Sequence, residues 1–263
     1  MLSLGISPCP NDTFIFCGMS GGYRLVLDDV EALNRRAEDG ELDVTKVSVA
    51  AYGRIRERYA LLRAGGAAGF GVGPLLVAAA PRMPGGRIAI PGERTTAALL
   101  LRLLGEFETV PMRFDAIEDA VISGSVDCGV LIHEGRFTYE RKGLVRLADL
   151  GEVWEQRMRG PLPLGAVAIR RDLGEQTARR VDGEIRESLR RARERPGDCA
   201  DFVRRHAQEM LPEVIQSHID LYVNDYSFGL DEAAVEKLVG LGESWGLYPG
   251  SRQPIFAYGG STA

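Results

Sequence analysis

The 263-residue chain contains no apolar run approaching the ~20 residues of a membrane-spanning helix. Its first residues lack a basic region, an apolar core and a small-residue cleavage site, so no secretory signal is read and the expected location is the cytoplasm. Cysteine is scarce: Cys9, Cys17, Cys128 and Cys199 form no C-x-x-C pair, and reduced thiols are the expectation. Positive charge is not in excess, since the net charge of −5 excludes bulk attraction to nucleic acid or an anionic membrane surface. The arginine-dense residues 186–195 alternate with glutamates, which reads as a solvated helix face. No zinc spacing is present, because His206, Glu209 and His218 fit neither H-E-x-x-H nor another such pattern. Nucleotide fingerprints are missing too. The GERTT turn at residues 92–96 lacks a Walker lysine, and GFGVG at 69–73 precedes a strand instead of following one. Neither a metal nor an organic cofactor is therefore expected.

What the chain does contain is a strand that turns at once into a helix. The apolar residues Leu2 to Ile6 run into Ser7-Pro8-Cys9-Pro10-Asn11-Asp12-Thr13-Phe14, where two prolines stiffen the turn. Asn11 or Asp12 is the expected N-cap. Similar units follow. Residues 44–49 alternate as a strand, and 50–62 have helical spacing at Ile55, Tyr59 and Leu62. Strands are also expected at 75–80, 87–90, 112–114, 126–132 and 166–169, with helices over 95–104 and 116–122 and a mostly helical chain after Glu175. Repeated strand–helix units predict an α/β fold with parallel or mixed sheets covered by helices. The proline–glycine stretch at 81–86 divides them into two lobes, residues 1–86 with 172–263 and residues 87–171, with a cleft between.

Four polar clusters fall at predicted strand ends: Ser7 with Asn11 and Asp12, Lys46 with Ser48, Thr95 with Thr96, and His133 with Glu134. In open α/β folds that edge is where ligands bind, because helix N–H groups and polar side chains converge there. Ser, Thr, Asn and Asp also cap helices for structural reasons alone, so each cluster has two readings. His133 follows the apolar strand end Val130-Leu131-Ile132. An imidazole titrates near neutrality and suits proton abstraction in a closable cleft, although a capping or core histidine could occupy the same place. Cys9, beside a helix start, is a candidate nucleophile or a small turn residue.

Eight ordered blocks carry a resemblance to a known family. They are SPCPNDTFIF (7–16), DVEALN (29–34), VTKVSVAAY (44–52), TTAAL (95–99), LIHEGRFTY (131–139), PLPLG (161–165), HAQEM (206–210) and HIDLYVN (218–224). Together they resemble the 1,4-dihydroxy-6-naphthoate synthases of the futalosine route to menaquinone. The resemblance implies a two-lobed periplasmic-binding-protein-like type II fold with a hinge and an inter-lobe cleft. It also implies a cofactor-independent lyase that converts cyclic dehypoxanthine futalosine to 1,4-dihydroxy-6-naphthoate by base-initiated carbon–carbon cleavage. His133 would be the base. Lys46, Val47 and Ser48, with Thr95, Thr96 and Ala97, would contact substrate, beside Asn11 and Asp12 at the first strand end. A chorismate dehydratase of the same pathway and a non-catalytic small-anion-binding protein share the fold. The SPCPNDTFIF and LIHE-x-RFTY blocks favour the synthase.

Overall fold

The computed structural model of the chain describes residues 1–19, 21–81, 86–206 and 211–259. In chain order its strands are β1 (Leu2–Ile6), β2 (Tyr23–Leu27), β3 (Val44–Ser48), β4 (Tyr59–Leu61), β5 (Ala67–Gly69), β6 (Leu75–Ala78), β7 (Ile88–Ile90), β8 (Thr109–Pro111), β9 (Cys128–Leu131), β10 (Val145–Asp149) and β11 (Leu162–Arg170). The helices are α1 (Pro10–Phe16), α2 (Val30–Asp39), α3 (Val49–Ile55), α4 (Thr96–Leu101), α5 (Ile117–Ile122), α6 (Gly135–Thr138), α7 (Leu150–Met158), α8 (Gly174–Glu194), α9 (Gly197–His206), α10 (Pro212–Tyr222) and α11 (Glu232–Ser244).

Two mixed sheets result. The first runs β2-β1-β3-β11-β4 with β5 also on β11, and the second runs β10-β6-β9-β7-β8. In the first, β1 is parallel to β2 and β3, while β11 is antiparallel to β3, β4 and β5. In the second, β7 is parallel to β8 and β9, while β6 is antiparallel to β9 and β10. The paired parallel strands matter for the site: β1 and β3 end at one edge of their sheet, and β7 and β9 at one edge of theirs.

Local sequence explains much of this. Asp29 caps α2 by accepting from the Glu31 and Ala32 N–H groups, and Gly40 ends it in the left-handed region at φ 74°. In α8, Val181, Ile185, Leu189 and Ala192 form one fully buried stripe that packs with Leu4, Ile6 and Phe14. The opposite face of α8 is laced by Arg–Glu pairs at helical spacing, including Arg179–Glu175, Arg180–Glu184 and Arg190–Glu194. The second lobe has its own core of Leu75, Val77, Ala89, Ile117, Val121 and Leu131.

Several expectations are corrected. Sheet membership divides the chain differently from the boundaries at 86 and 171: β6 pairs in the second sheet, and all of β11 pairs in the first. The chain therefore crosses between sheets at residues 70–74 and 159–161. The proline–glycine stretch lies inside the second lobe, with 82–85 outside the described residues. The helix expected over 50–62 stops at Ile55, because residues 59–61 pair with β11 instead. The short strand expected at 112–114 lies at Thr109–Pro111, and β2, β5 and β10 had no sequence-based counterpart. Cys17 and Cys199 are joined as a disulfide with Cα atoms 5.6 Å apart, against the expectation of free thiols, because packing of α9 on α1 brings them together. Cys9 is a free thiol, and both it and Cys128 are buried.

At the first crossing, backbone meets backbone. A Cβ added to Gly73 would stand 2.1 Å from the Gly151 nitrogen at the start of α7. Glycine is required by close approach, not by dihedral angle. Gly73→Ala is expected to destabilise the protein by about 2 kcal/mol or more, as overpacking does. The measurement is urea unfolding, and a midpoint equal to wild type would show that α7 yields without cost.

Candidate active site

The strand ends of the two sheets face each other across a cleft lined by Ser7, Asn11, Asp12, Lys46, Val47, Ser48, Thr95, Thr96, Ala97 and His133. The base and the substrate contacts implied by the resemblance all lie on it, and the lining is completed by groups including Val72, Ile132, Leu164, His218 and Tyr222. Glu134, paired with His133 in the sequence reading, lines a different depression.

The floor is a buried ion pair. Asp12 Oδ1 lies 3.0 Å from Lys46 Nζ and accepts from Asn11 Nδ2 at 3.0 Å. Asp12 Oδ2 accepts from the Ser7 hydroxyl at 2.8 Å and the Ser7 N–H at 3.1 Å. Lys46 also donates to the Gly65 carbonyl at 2.8 Å. Two of its three ammonium protons are thus committed, and one remains for the cleft. The N-cap of α1 is Cys9 with Pro10 at the first helical position, so neither Asn11 nor Asp12 caps it as expected. Burial, and next the charge of Glu134, raise the Cys9 pKa. That keeps the sulfur a thiol, which is a poor nucleophile.

The hydroxyls of the cleft have protein partners. Thr95 caps α4, accepting from the Ala98 N–H at 3.1 Å and donating to the Gly92 carbonyl at 2.8 Å. Ser48 accepts from Asn34 Nδ2 at 3.1 Å, while its N–H donates to Asn34 Oδ1 at 2.9 Å. Thr96 reaches across the lobes, donating to the Leu164 carbonyl at 2.7 Å and accepting from the Ala50 N–H at 3.3 Å. Nearby, Arg94 spans the same gap, with Nε 2.7 Å from Glu38 and Nη1 3.1 Å from Glu31, both on α2. The cleft is closed in this state.

His133 stands on the opposite wall, just past β9. Its φ of 55° places a non-glycine residue in the left-handed region. Histidine visits that region more readily than most residues. The turn is fixed by two groups. The His133 carbonyl accepts from the Arg136 N–H at 3.3 Å. The Arg136 guanidinium in turn holds Asp149 at 2.7 Å and the Gly73 carbonyl at the crossing. The imidazole meets Phe114 edge-on with centroids 5.1 Å apart. Its Nε2 is buried with no hydrogen-bond partner among the described residues. Burial lowers its pKa to about 4, with Asp12 opposing. The ring is therefore neutral at pH 7 and can accept a proton.

Residues 2–244 match the family described as menaquinone biosynthesis. The chain belongs to that family. A curated 1,4-dihydroxy-6-naphtoate synthase from Thermus thermophilus is 47% identical, with 97% of this chain and 98% of the relative covered. One from Streptomyces coelicolor is 42% identical over 94% and 95% of the two chains. Among solved structures, a protein from Archaeoglobus fulgidus superposes with a TM-score of 0.89 at 38% identity, covering 94% of this chain and 98% of its own. The ligand-binding component of an ABC-type import system from Staphylococcus aureus superposes at 0.73 with 13% identity, covering 98% and 96%. The last likeness is one of fold, and it identifies the two lobes as a periplasmic-binding-protein-like arrangement.

Sequence reasoning did not place His218 or Tyr222 in the cleft. Both lie on α10, and with Val214 they form a buried stripe at i, i+4 and i+8. A histidine in an apolar stripe was the available signal. As a metal-ligand candidate His218 has no companions: His206 stacks on Phe202 in α9, and Glu209 lies outside the described residues, as does most of the HAQEM block. Among the described residues no group of three His, Cys, Asp or Glu side chains converges as a metal set. No helix among them is long and apolar enough to cross a membrane.

Two outcomes follow from the electrostatics. Lys46→Met leaves the Asp12 charge buried without its cation, a loss of about 3–5 kcal/mol. Urea denaturation measures it, and a cost below about 1 kcal/mol would show that Ser7 and Asn11 suffice for Asp12. The second concerns pH. His133 titrates at about 4 in the folded protein, and burial with neighbouring His133 holds His218 well below the usual imidazole range. The unfolded chain, with imidazoles near 6.5, binds more protons below that pH. Stability contributed by the neutral rings is thus complete above about pH 6.5 and is lost as pH falls toward about 4. Unfolding free energy measured at pH 7.5 and pH 5 should differ less in His133→Asn than in wild type. An identical difference would mean that His133 is not held neutral by the fold.

Proposed function

We propose that this protein is a 1,4-dihydroxy-6-naphthoate synthase of menaquinone biosynthesis, a carbon–carbon lyase acting on cyclic dehypoxanthine futalosine. The observation that carries the reading is His133: a neutral imidazole whose buried Nε2 has no hydrogen-bond partner among the described residues, in a cleft whose other wall is polar. The 47% identity to a curated synthase across nearly the whole chain supports it.

The chemistry needs few parts. His133 takes the proton of a substrate hydroxyl, and the O–H electron pair becomes a carbonyl as the adjacent carbon–carbon bond breaks. The electrons of that bond are received as an enolate of the ring ketone, and protonation with aromatisation gives the dihydroxynaphthoate. Aromatisation makes the sequence downhill. The free proton of Lys46 and the first-turn N–H groups of α4, at Thr96 and Ala97, supply donors for the substrate carboxylate. Ser48 and Thr95 act by shaping that wall, since their hydroxyls are engaged in the protein. Closure of the lobes removes water and strengthens each of these contacts. Orientation within the closed cleft supplies the rest of the acceleration.

The test is incubation of the purified protein with cyclic dehypoxanthine futalosine, following the naphthoate by absorbance and mass. His133→Asn suits the left-handed backbone and removes the base. It is expected to fold normally and to lose about 10²- to 10⁴-fold in kcat. Wild-type turnover in the folded variant would remove His133 from the role of base.

A further inference from the structure

His218 is fully buried on α10, lines the cleft, and has no hydrogen-bond partner among the described residues at either ring nitrogen. Its surroundings are aromatic: Tyr222 at 4.7 Å and Phe137 at 6.0 Å between ring centroids. The other imidazole of the cleft, His133, lies at 6.1 Å and is tilted by 53°. Polar atoms taken from water without partners cost stability, and a Leu or Phe at this helix position would fill the stripe without that cost. Packing alone therefore does not explain a histidine here.

We infer that His218 is a second substrate-binding imidazole, hydrogen-bonding a neutral oxygen, hydroxyl or carbonyl, beside the bond that His133 acts on. Three observations carry this. The two rings are too far apart to bond each other directly, and their spacing and tilt admit one oxygen atom at ~2.9 Å from a nitrogen of each. A neutral imidazole offers one donor and one acceptor, so it matches a hydroxyl or a ketone but provides no charge for a carboxylate. A cation and N–H donors for a carboxylate are supplied by other residues of the lining, at Lys46 and the first turn of α4. His218 thereby fixes which hydroxyl His133 meets.

This rests on the synthase reading, and the experiment separates the two. His218→Phe and His218→Met keep an apolar, space-filling side chain and remove both nitrogens, whereas His218→Gln retains a donor and an acceptor. All are assayed with cyclic dehypoxanthine futalosine and melted beside wild type. The apolar variants are expected to melt at or above the wild-type temperature while kcat/KM falls about 10-fold or more, with part recovered in the Gln variant. If either folded apolar variant keeps kcat/KM within about twofold of wild type, the inference is overturned and the synthase reading stands. It is also overturned if both apolar variants melt well below wild type, because the nitrogens would then serve the fold. If wild type itself does not turn over this substrate, both readings fall together.

Discussion

A buried lysine on β3 and a buried aspartate in the first turn of α1 set the geometry of the cleft. Lys46 lies midway along β3 and Asp12 in the first turn of α1 after β1, so their 3.0 Å contact ties the first strand–helix corner to the centre of the first sheet. A buried pair is a costly device unless its remaining valences are filled, and here Ser7, Asn11 and the Gly65 carbonyl fill all but one. The result is a wall whose polar groups are already oriented before any ligand arrives, with one ammonium proton left over.

The opposite wall follows a different principle. Phe114, Phe137 and Tyr222 surround two histidines, and desolvation holds both rings uncharged. The site thus combines a charged pair with two neutral bases. A substrate with a carboxylate at one end and hydroxyls at the other has a preferred direction in such a cleft. Arg136 joins this wall to the inter-sheet crossing through Asp149 and Gly73, so the backbone carrying His133 is fixed to the part of the chain that links the lobes.

Much of this was legible because the relevant rule is local. A strand that ends in polar residues and enters a helix announces itself in a few letters, and four such ends supplied the residues now seen around the cleft. Whatever depended on non-local pairing was not legible. Residues 59–61 fit a helical stripe until β11 claims them, and strands as short as Ala67–Gly69 carry too little pattern to be read. The lobe boundary was placed at a conspicuous proline–glycine stretch, whereas sheet membership is decided by which strands pair. Cys17 and Cys199 are 182 residues apart, and no spacing rule reaches that far. His218 sits in mid-helix, where neither a cap nor a strand end marks it. Thr95 was legible as a polar strand end, but its two readings separated only when the Ala98 contact was seen.

The Arg94 bridges to Glu31 and Glu38, with the Thr96 bond to Leu164, clasp one lobe to the other. Any opening of the cleft requires a guanidinium to leave two carboxylates and a carbonyl to lose its hydroxyl. Residues on α2 and in the turn before α4 therefore govern how readily a ligand enters or leaves, while the proton is handled by a different set of side chains.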